Sequence, residues 1–569
     1  MARHWLSEIV KQVRTAFTQI LVVSAFVNLL AIAAPVFVLQ VYDRVVMHAG
    51  ISTLYGLVIG VLIAIAFDFV LRQFRARLLQ RTALEIDIGV NRCVLDKLMS
   101  VPLRVLESRP VAQWDILFRD ANAVRDTLSG PTAVAIADLP FAVIFLLVIY
   151  AIAAPVAWVV LILIPVFVLI AWLGARSQTE RTHAERDAML ARDGIIADLI
   201  AGRTTVKSTG LDGAFAARWE DAHADAVERG LDRGRTGDNF VNMGLAVSVV
   251  ATVAITGVGA LAILNQELTI GALIATNMLA ARIIMPFHQL VGTWRMAALC
   301  RQAIGRLDDL FALPSERTES AVAFDRPKGK IVFDGATFRY EAENEPVIDE
   351  IRLTLEARGL YAVMGTNGSG KTTLLKLAMG LYAPDDGRIL IDDADIAQFS
   401  RRDLTRWIGY VPQEIRLFSG TIRDNISAAQ PDAPDEDVVR AAKLAGVHDF
   451  VAALPDGYGA DVGDGGSALP GGIRQKIGIA RALLRQPPVL LMDEPSSNLD
   501  RDSETALAET LRNLSNDHTI VMATHSLRLL SACHSILVLE RGKIRTGGPA
   551  DKVLPEMFPA AAAVTTGTS

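Results

Sequence analysis

Three cysteines in 569 residues, Cys93, Cys300 and Cys533, are too few and too scattered for a disulfide framework, a metal site or a paired redox motif. That scarcity fits a reducing compartment and leaves each thiol as a packing residue. Charge of one sign is scarce as well: 56 Lys and Arg against 62 Asp and Glu leave a net charge of -6, which gives no argument for a nucleic-acid partner. No secretory leader is expected either, because the first apolar stretch is too long and lacks a convincing cleavage site before the next. The amino terminus is therefore expected to stay in the cytoplasm.

What the chain has in abundance is apolar side chains, with 51% hydrophobic residues and a mean hydropathy of +0.34. Its length exceeds one ordinary domain, and its first half holds six stretches near the roughly 20 residues that cross a bilayer. They run near Ile20 to Val41, Leu54 to Leu71, Ala133 to Ala153, Val156 to Leu173, Val241 to Ile263 and Ile270 to Leu290. Long polar stretches rich in Lys and Arg follow the second and fourth, while the other connections are short and nearly uncharged. The positive-inside rule puts both long stretches in the cytoplasm, and their helical periodicity predicts two helices of about thirty residues in each, every one about 45 Å long.

Residues 1–17 carry Trp5, Ile9, Val13 and Phe17 on one helical face, which predicts an interfacial elbow helix or the start of the first span. The six-span domain is then expected over 18–305 and a linker over 306–329. A mixed α/β domain follows over 330–555, and a disordered tail over 556–569.

Gly365, Thr366, Asn367, Gly368, Ser369, Gly370, Lys371 and Thr372, followed by Thr373, form a phosphate-binding loop between an apolar strand-like run and a helical run. The glycines let successive N–H groups turn toward phosphates, Lys371 reaches the outer phosphates, and the Thr372 hydroxyl can ligate Mg²⁺. A nucleotide is the implied ligand. Downstream, Val489 to Met492 read as a buried strand ending in Asp493 and Glu494. Asp493 would hold Mg²⁺ and Glu494 would polarise the attacking water.

With these motifs in this order, the chain resembles an ATP-binding cassette exporter in which membrane and nucleotide-binding halves are fused, and the resemblance covers nearly all of it. It implies an all-α six-span domain with long cytoplasmic helices, then an α/β P-loop ATPase, with ATP and Mg²⁺ as cofactors. Tyr340 matches the aromatic that stacks on adenine, Gln413 the glutamine that touches Mg²⁺, and His525 the histidine at the γ-phosphate. Asp461 to Gly466 resemble the loop that contacts coupling helices, and Ser497 to Asp500 resemble the D-loop.

The family signature, Leu-Ser-Gly-Gly-Gln, reads Leu469-Pro470-Gly471-Gly472-Ile473 here. Proline supplies neither the hydroxyl nor the N–H that the serine offers to the γ-phosphate bound by the opposite subunit, while the N–H groups of Gly471 and Gly472 remain. By analogy with losing one oxyanion donor, turnover is expected to fall by up to about 10²-fold. Two copies of this chain would make a slow pump. In a heterodimer, its Lys371, Glu494 and His525 would instead pair with a normal signature.

Within the membrane half, Pro35 to Val45, Ala137 to Phe141 and Leu268 to Ala275 resemble exporters of bacterial type I secretion systems. That implies an inner-membrane location, an unfolded polypeptide as cargo, a periplasmic adaptor and an outer-membrane channel. Too few residues precede the first span for the peptidase domain of some relatives, so leader cleavage is not expected. A lipid or small-amphiphile flippase, and a regulatory ATP-binding membrane protein, are the alternatives. Four ionisable residues lie in or beside the spans. The four, His288 included, could line a polar pathway; Asp43 is expected instead to pair with Arg44 and Asp138 to cap a helix, and Asp68 to face a cavity.

Overall fold

A computed structural model describes residues 4–558 apart from Ala49, Ala323 and Ala342. The chain divides into two compact units, one of residues up to Met99 with Arg109–Leu313, the other of Ser100–Ser108 with the residues from Pro314 onward.

The first unit is helical. Val13–Val46, Ile51–Ser100, Gln113–Ile152, Ala154–Ala201 and Asp212–Leu264 are long and apolar enough to cross a membrane, and a shorter apolar stretch, Ile270–Pro286, opens the last helix, Ile270–Ala312. The polar stretches are helical over long runs, as expected, and are not separate from the spans. They continue the apolar ones, giving helices of 50, 48 and 53 residues over Ile51–Ser100, Ala154–Ala201 and Asp212–Leu264, each about 75 Å long at 1.5 Å per residue. No proline interrupts the switch from apolar to polar composition at Arg72, so the backbone ladder has no reason to stop there. Beyond that point Leu79, Thr82, Ile86, Val90 and Val94 stay buried on one stripe at helical spacing.

The elbow expected over 1–17 is the beginning of one helix, His4–Leu30. Its apolar face is covered by the protein itself: Trp5 stacks on Phe311 (5.3 Å between centroids) and donates from Nε1 to Asp308 Oδ1 (2.9 Å). The helix that ends the unit runs through Ala312, so 306–312 are helical and the connection starts later than the expected linker. Residues 559–569 of the expected tail lie outside the described residues.

Two of the ionisable residues take partners that differ from those expected. Asp43 does not pair with Arg44; it accepts from the Thr269 hydroxyl (2.7 Å) and the Gly271 N–H (3.2 Å) at the start of Ile270–Ala312, where a carboxylate meets the free donors of a helix N-terminus. Asp138 does stand at the N-cap position of the short turn Leu139–Phe141, but its side chain makes no capping bond. It accepts from Arg75 Nη1 (3.0 Å) and Asn28 Nδ2 (2.9 Å), and Arg75 also donates to Ser24 Oγ (3.1 Å). Asp68 pairs with Arg72 one turn along its own helix (2.6 Å), and the side chain of His288 lies outside those described.

Among the described residues, ten strands form two sheets in the second unit: β1 (Ile331–Phe338), β2 (Ile348–Leu355), β3 (Gly359–Met364), β4 (Asp386–Ile391), β5 (Ala394–Asp395), β6 (Ile408–Val411), β7 (Val489–Asp493), β8 (Thr519–Ala523), β9 (Ser535–Glu540) and β10 (Lys543–Pro549). An antiparallel sheet has the order β2-β1-β4-β5, and a six-stranded sheet has the order β10-β9-β3-β8-β7-β6. In the larger sheet every pairing except β10 with β9 is parallel. Parallel strands are covered on both faces, which is why β7 and β8 are buried at every residue and read as continuous apolar runs. The register sets the ends of β3, β7 and β8 side by side, the place where open parallel sheets bind ligands.

The Arg75–Asp138 pair is largely enclosed, its side chains 10% and 21% exposed. Breaking such a pair from one side costs roughly 3–5 kcal/mol, whereas replacing both partners with apolar residues is close to neutral. Arg75→Ala is therefore expected to lower the thermal midpoint of the detergent-purified chain, and the double variant Arg75→Met, Asp138→Leu to recover most of the loss; differential scanning fluorimetry checks both.

Candidate functional site

The phosphate loop follows β3 directly and ends on the helix Lys371–Ala378. Gly365 lies against β9: a Cβ there would sit 2.2 Å from the carbonyl oxygen of Leu539. Gly370 has φ 105° and a Cβ there would come within 2.8 Å of the Val347 carbonyl, so both positions demand glycine. Lys371 Nζ donates to the carbonyls of Gly365 (2.8 Å) and Thr366 (3.2 Å), folding its side chain back over the loop. Burial pulls its pKa down, while Glu494 and Asp493 nearby oppose that shift.

Asp493 closes β7, and burial pushes its carboxyl above the usual range, against a hydrogen bond from Thr372 that favours the anion. Its Oδ2 is buried without a hydrogen-bond partner, and so is the hydroxyl of Ser369 in the loop opposite. An unpartnered buried carboxylate oxygen beside a threonine hydroxyl fits a divalent cation. Among the described residues no cluster of three His, Cys, Asp or Glu makes a metal cage. Such an ion would rely on Thr372, Asp493 and phosphate oxygens, as Mg²⁺ does when it arrives with a nucleotide.

The next residue, Glu494, has φ 49°, a left-handed conformation that is uncommon outside glycine. It is fixed by its N–H on the Ala523 carbonyl (2.9 Å) and by its own carbonyl, which accepts from Ser497 (3.2 Å). His525 follows β8, and its Nε2 lies 3.6 Å from Glu494 Oε1. The two strand ends thus deliver an acid and an imidazole to one spot, next to the loop that holds Lys371. Strain at such a position is a mark of function when the surroundings enforce it.

Tyr340 follows β1, its ring half exposed and its hydroxyl 3.0 Å from that of Thr373, so it stands over the start of the phosphate-loop helix. Gln413, after β6, is exposed. Asp500 is the N-cap of the helix Arg501–Leu514: its carboxylate accepts from Ser503 N–H (2.8 Å), which lowers its pKa. That gives it a structural occupation the sequence pattern did not reveal. Pro470 is the N-cap of the helix Gly471–Leu483, with φ -58° and ψ 150°, and its carbonyl accepts from Arg474 N–H (3.0 Å). The N–H groups of Gly471 and Gly472 open this helix, among the donors that an α-helix cannot satisfy internally. A Cβ on Gly472 would lie 2.9 Å from the Asn498 carbonyl, so glycine lets the signature loop rest on the D-loop backbone.

Comparison with known proteins gives the same organisation. The profile of the ABC transporter transmembrane region matches residues 17–287, and that of the ABC transporter ATP-binding domain matches residues 348–497. The chain is 30% identical over 568 residues to the alpha-hemolysin translocation ATP-binding protein HlyB of Escherichia coli, covering 97% of this chain and 78% of that protein. It is 29% identical over 566 residues to the exotoxin translocation ATP-binding protein PaxB of Pasteurella aerogenes, covering 97% and 77%. A solved structure of a bacterial Atm1-family ABC exporter with ATP bound superposes with a TM-score of 0.88 over 97% of this chain and 99% of that one, at 22% identity, a likeness of fold.

Because Lys371 Nζ brings a cation to the phosphate loop, Lys371→Ala is expected to weaken binding of a fluorescent ATP analogue by at least about tenfold, the loss of a charge-assisted contact. Equilibrium titration of the purified chain measures it, and unchanged affinity would show that the loop does not hold the triphosphate.

Proposed function

Because the chain belongs to the ABC transporters and couples ATP hydrolysis to export, we propose that it is a polypeptide exporter of the bacterial inner membrane, working in a type I secretion system. The observation that carries this reading is the 30% identity, sustained over both halves, to a protein named for translocating alpha-hemolysin. A second relative is named for exotoxin translocation. On this reading the ATPase unit faces the cytoplasm, and a periplasmic adaptor and outer-membrane channel complete the route.

Two copies of the chain would form two composite ATP sites. In each, the loop N–H groups and Lys371 hold the triphosphate, Tyr340 stacks on the base, and Gly471 and Gly472 of the opposite subunit close over the γ-phosphate. Mg²⁺, when bound, neutralises charge on the outer phosphates, with Thr372, Asp493 and Gln413 as the residues that would place it. Glu494 orients water in line with the γ-phosphorus and takes its proton. The new P–O bond forms as the bond to the β-phosphate oxygen breaks, leaving ADP and phosphate. His525, 3.6 Å from Glu494, is placed to hold the γ-phosphate and the glutamate in register. Closure of the two sites would switch the membrane helices, and hydrolysis would release them.

Glu494→Gln is expected to keep ATP affinity and to lose about 10²- to 10⁴-fold in turnover, the range of a general base. Pro470→Ser restores the missing donor and is expected to raise turnover by up to about 10²-fold. Both are read by phosphate release from protein purified alone, with added acidic, unfolded polypeptide or added lipid as stimulant. Stimulation by lipid but not by polypeptide would overturn the cargo assignment, and absence of hydrolysis without a second, different chain would overturn the homodimer.

A further inference from the structure

The segment Ser100–Ser108 lies in sequence between the long helices Ile51–Ser100 and Val111–Ser129, yet it folds with the ATPase unit. Its core is a short helix, Leu103–Glu107, whose Leu103 packs against the buried cluster of Phe338, Leu374 and Tyr382. Arg104 on this helix reaches the base-stacking segment. Its Nε and Nη2 both donate to the carbonyl oxygen of Tyr340, at 3.3 and 3.1 Å, and its Nη1 donates to Asp385 Oδ1 at 3.0 Å. The guanidinium carbon also lies 5.1 Å from the centroid of the Phe338 ring. Asp385 in turn accepts from the N–H of Arg339 at 2.7 Å.

Arg104 and Asp385 therefore hold the Arg339 N–H and the Tyr340 carbonyl from opposite sides. A tyrosine beyond the end of β1 has no ladder to fix its peptide plane, so this pair of contacts supplies what the sheet does not. The same helix fixes the ring from below. Glu107 accepts hydrogen bonds from the Tyr382 hydroxyl and from Lys376 Nζ (3.0 Å), and Tyr382 lies face to face with Phe338 (4.9 Å, 5°) and edge-on to Tyr340 (5.8 Å, 85°). Burial and the bond to Glu107 push the Tyr382 phenol's pKa up, so it remains a donor.

We propose that Arg104 is a positioning residue for adenine: by clamping the Tyr340 backbone it holds the ring ready to stack and thereby sets the affinity for the base, while leaving the phosphate chemistry alone. This rests on the reading of Tyr340 as the adenine-stacking residue. Preorganising a contact raises affinity by removing its ordering cost. Arg104 also carries this control into a segment whose two ends are covalently joined to long helices of the other unit.

The test compares Arg104→Ala, Arg104→Lys, Tyr340→Ala and the double variant Arg104→Ala, Tyr340→Ala in the full purified chain. Arg104→Ala is expected to raise KM and the dissociation constant for ATP about five- to tenfold, the loss of paired charge-assisted hydrogen bonds discounted for their partial exposure. The kcat at saturating ATP stays within about twofold, and affinity for tripolyphosphate, which has no base, does not change. Arg104→Lys, with one cationic centre instead of a fork, should fall between wild type and alanine. The double variant should be no weaker than Tyr340→Ala. The proposal is overturned if Arg104→Ala leaves ATP affinity unchanged, weakens tripolyphosphate equally, or adds in full to Tyr340→Ala. If Tyr340→Ala itself binds ATP normally, the stacking assignment fails first and Arg104 has no ring to position. Should the alanine variant not fold, Arg104→Lys with normal ATP affinity overturns the clamp by itself.

Discussion

A carboxylate is buried at the end of β7, and one of its oxygens has no partner in the chain. Leaving a charge in that position is costly unless a cation meets it, so Asp493 makes the site complete only when metal and phosphate are both present. Across from it, Lys371 is buried too and donates from its ammonium to the carbonyls of Gly365 and Thr366 in its own loop. The rest of the unit follows from bringing these two groups together. Parallel pairing through β8 aligns the ends of β3 and β7, the glycines let the loop lie against β9 and the Val347 backbone, and Glu494 is forced into a left-handed turn beside His525. The site is a set of charges that a magnesium-bound triphosphate would complement.

How far a sequence discloses such a site depends on how close its parts lie along the chain. The phosphate loop was legible because eight consecutive residues carry both its conformation and its ligands, and Asp493 with Glu494 because an apolar run ends on them. Arg104 was not legible. It meets the Tyr340 backbone across 236 residues, from a helix of five, and no periodicity marks a guanidinium that will point at a carbonyl. The same limit explains the acids of the membrane half. Asp43 has Arg44 as its neighbour in sequence but Thr269 and Gly271 as its partners in space, and Asp138 meets Arg75 and Asn28 from two other helices. Pattern reading assigns an acid to the nearest residue, whereas packing assigns it to whichever donor is excluded from water with it.

Helix boundaries show the opposite bias. Hydropathy marks where composition changes, and the long helices ignore that change because backbone hydrogen bonding needs no apolar side chain. What stops Ile51–Ser100 is Pro102, and what stops Arg203–Thr209 is Gly210 in the left-handed conformation. Before Pro102, Ile51–Ser100 is a single rod with an apolar outer surface at one end, where Ile63, Phe67 and Val70 are exposed, and a buried seam at the other.

Pro470 separates chemistry from stability for the same reason that proline is tolerated at helix starts. The N–H it lacks belongs to a position that no intrahelical bond would have used, and its φ of -58° is what the ring prefers. The helix Gly471–Leu483 therefore begins normally, with Gly472 against the Asn498 carbonyl and Arg474 bonded to the carbonyls of Gly466 and Leu469. Nothing inside the chain registers the substitution. In the proposed composite site, what it removes is a donor that would face a phosphate held by another subunit, so its cost would fall on the closed, ATP-bound pair and not on the fold of either partner.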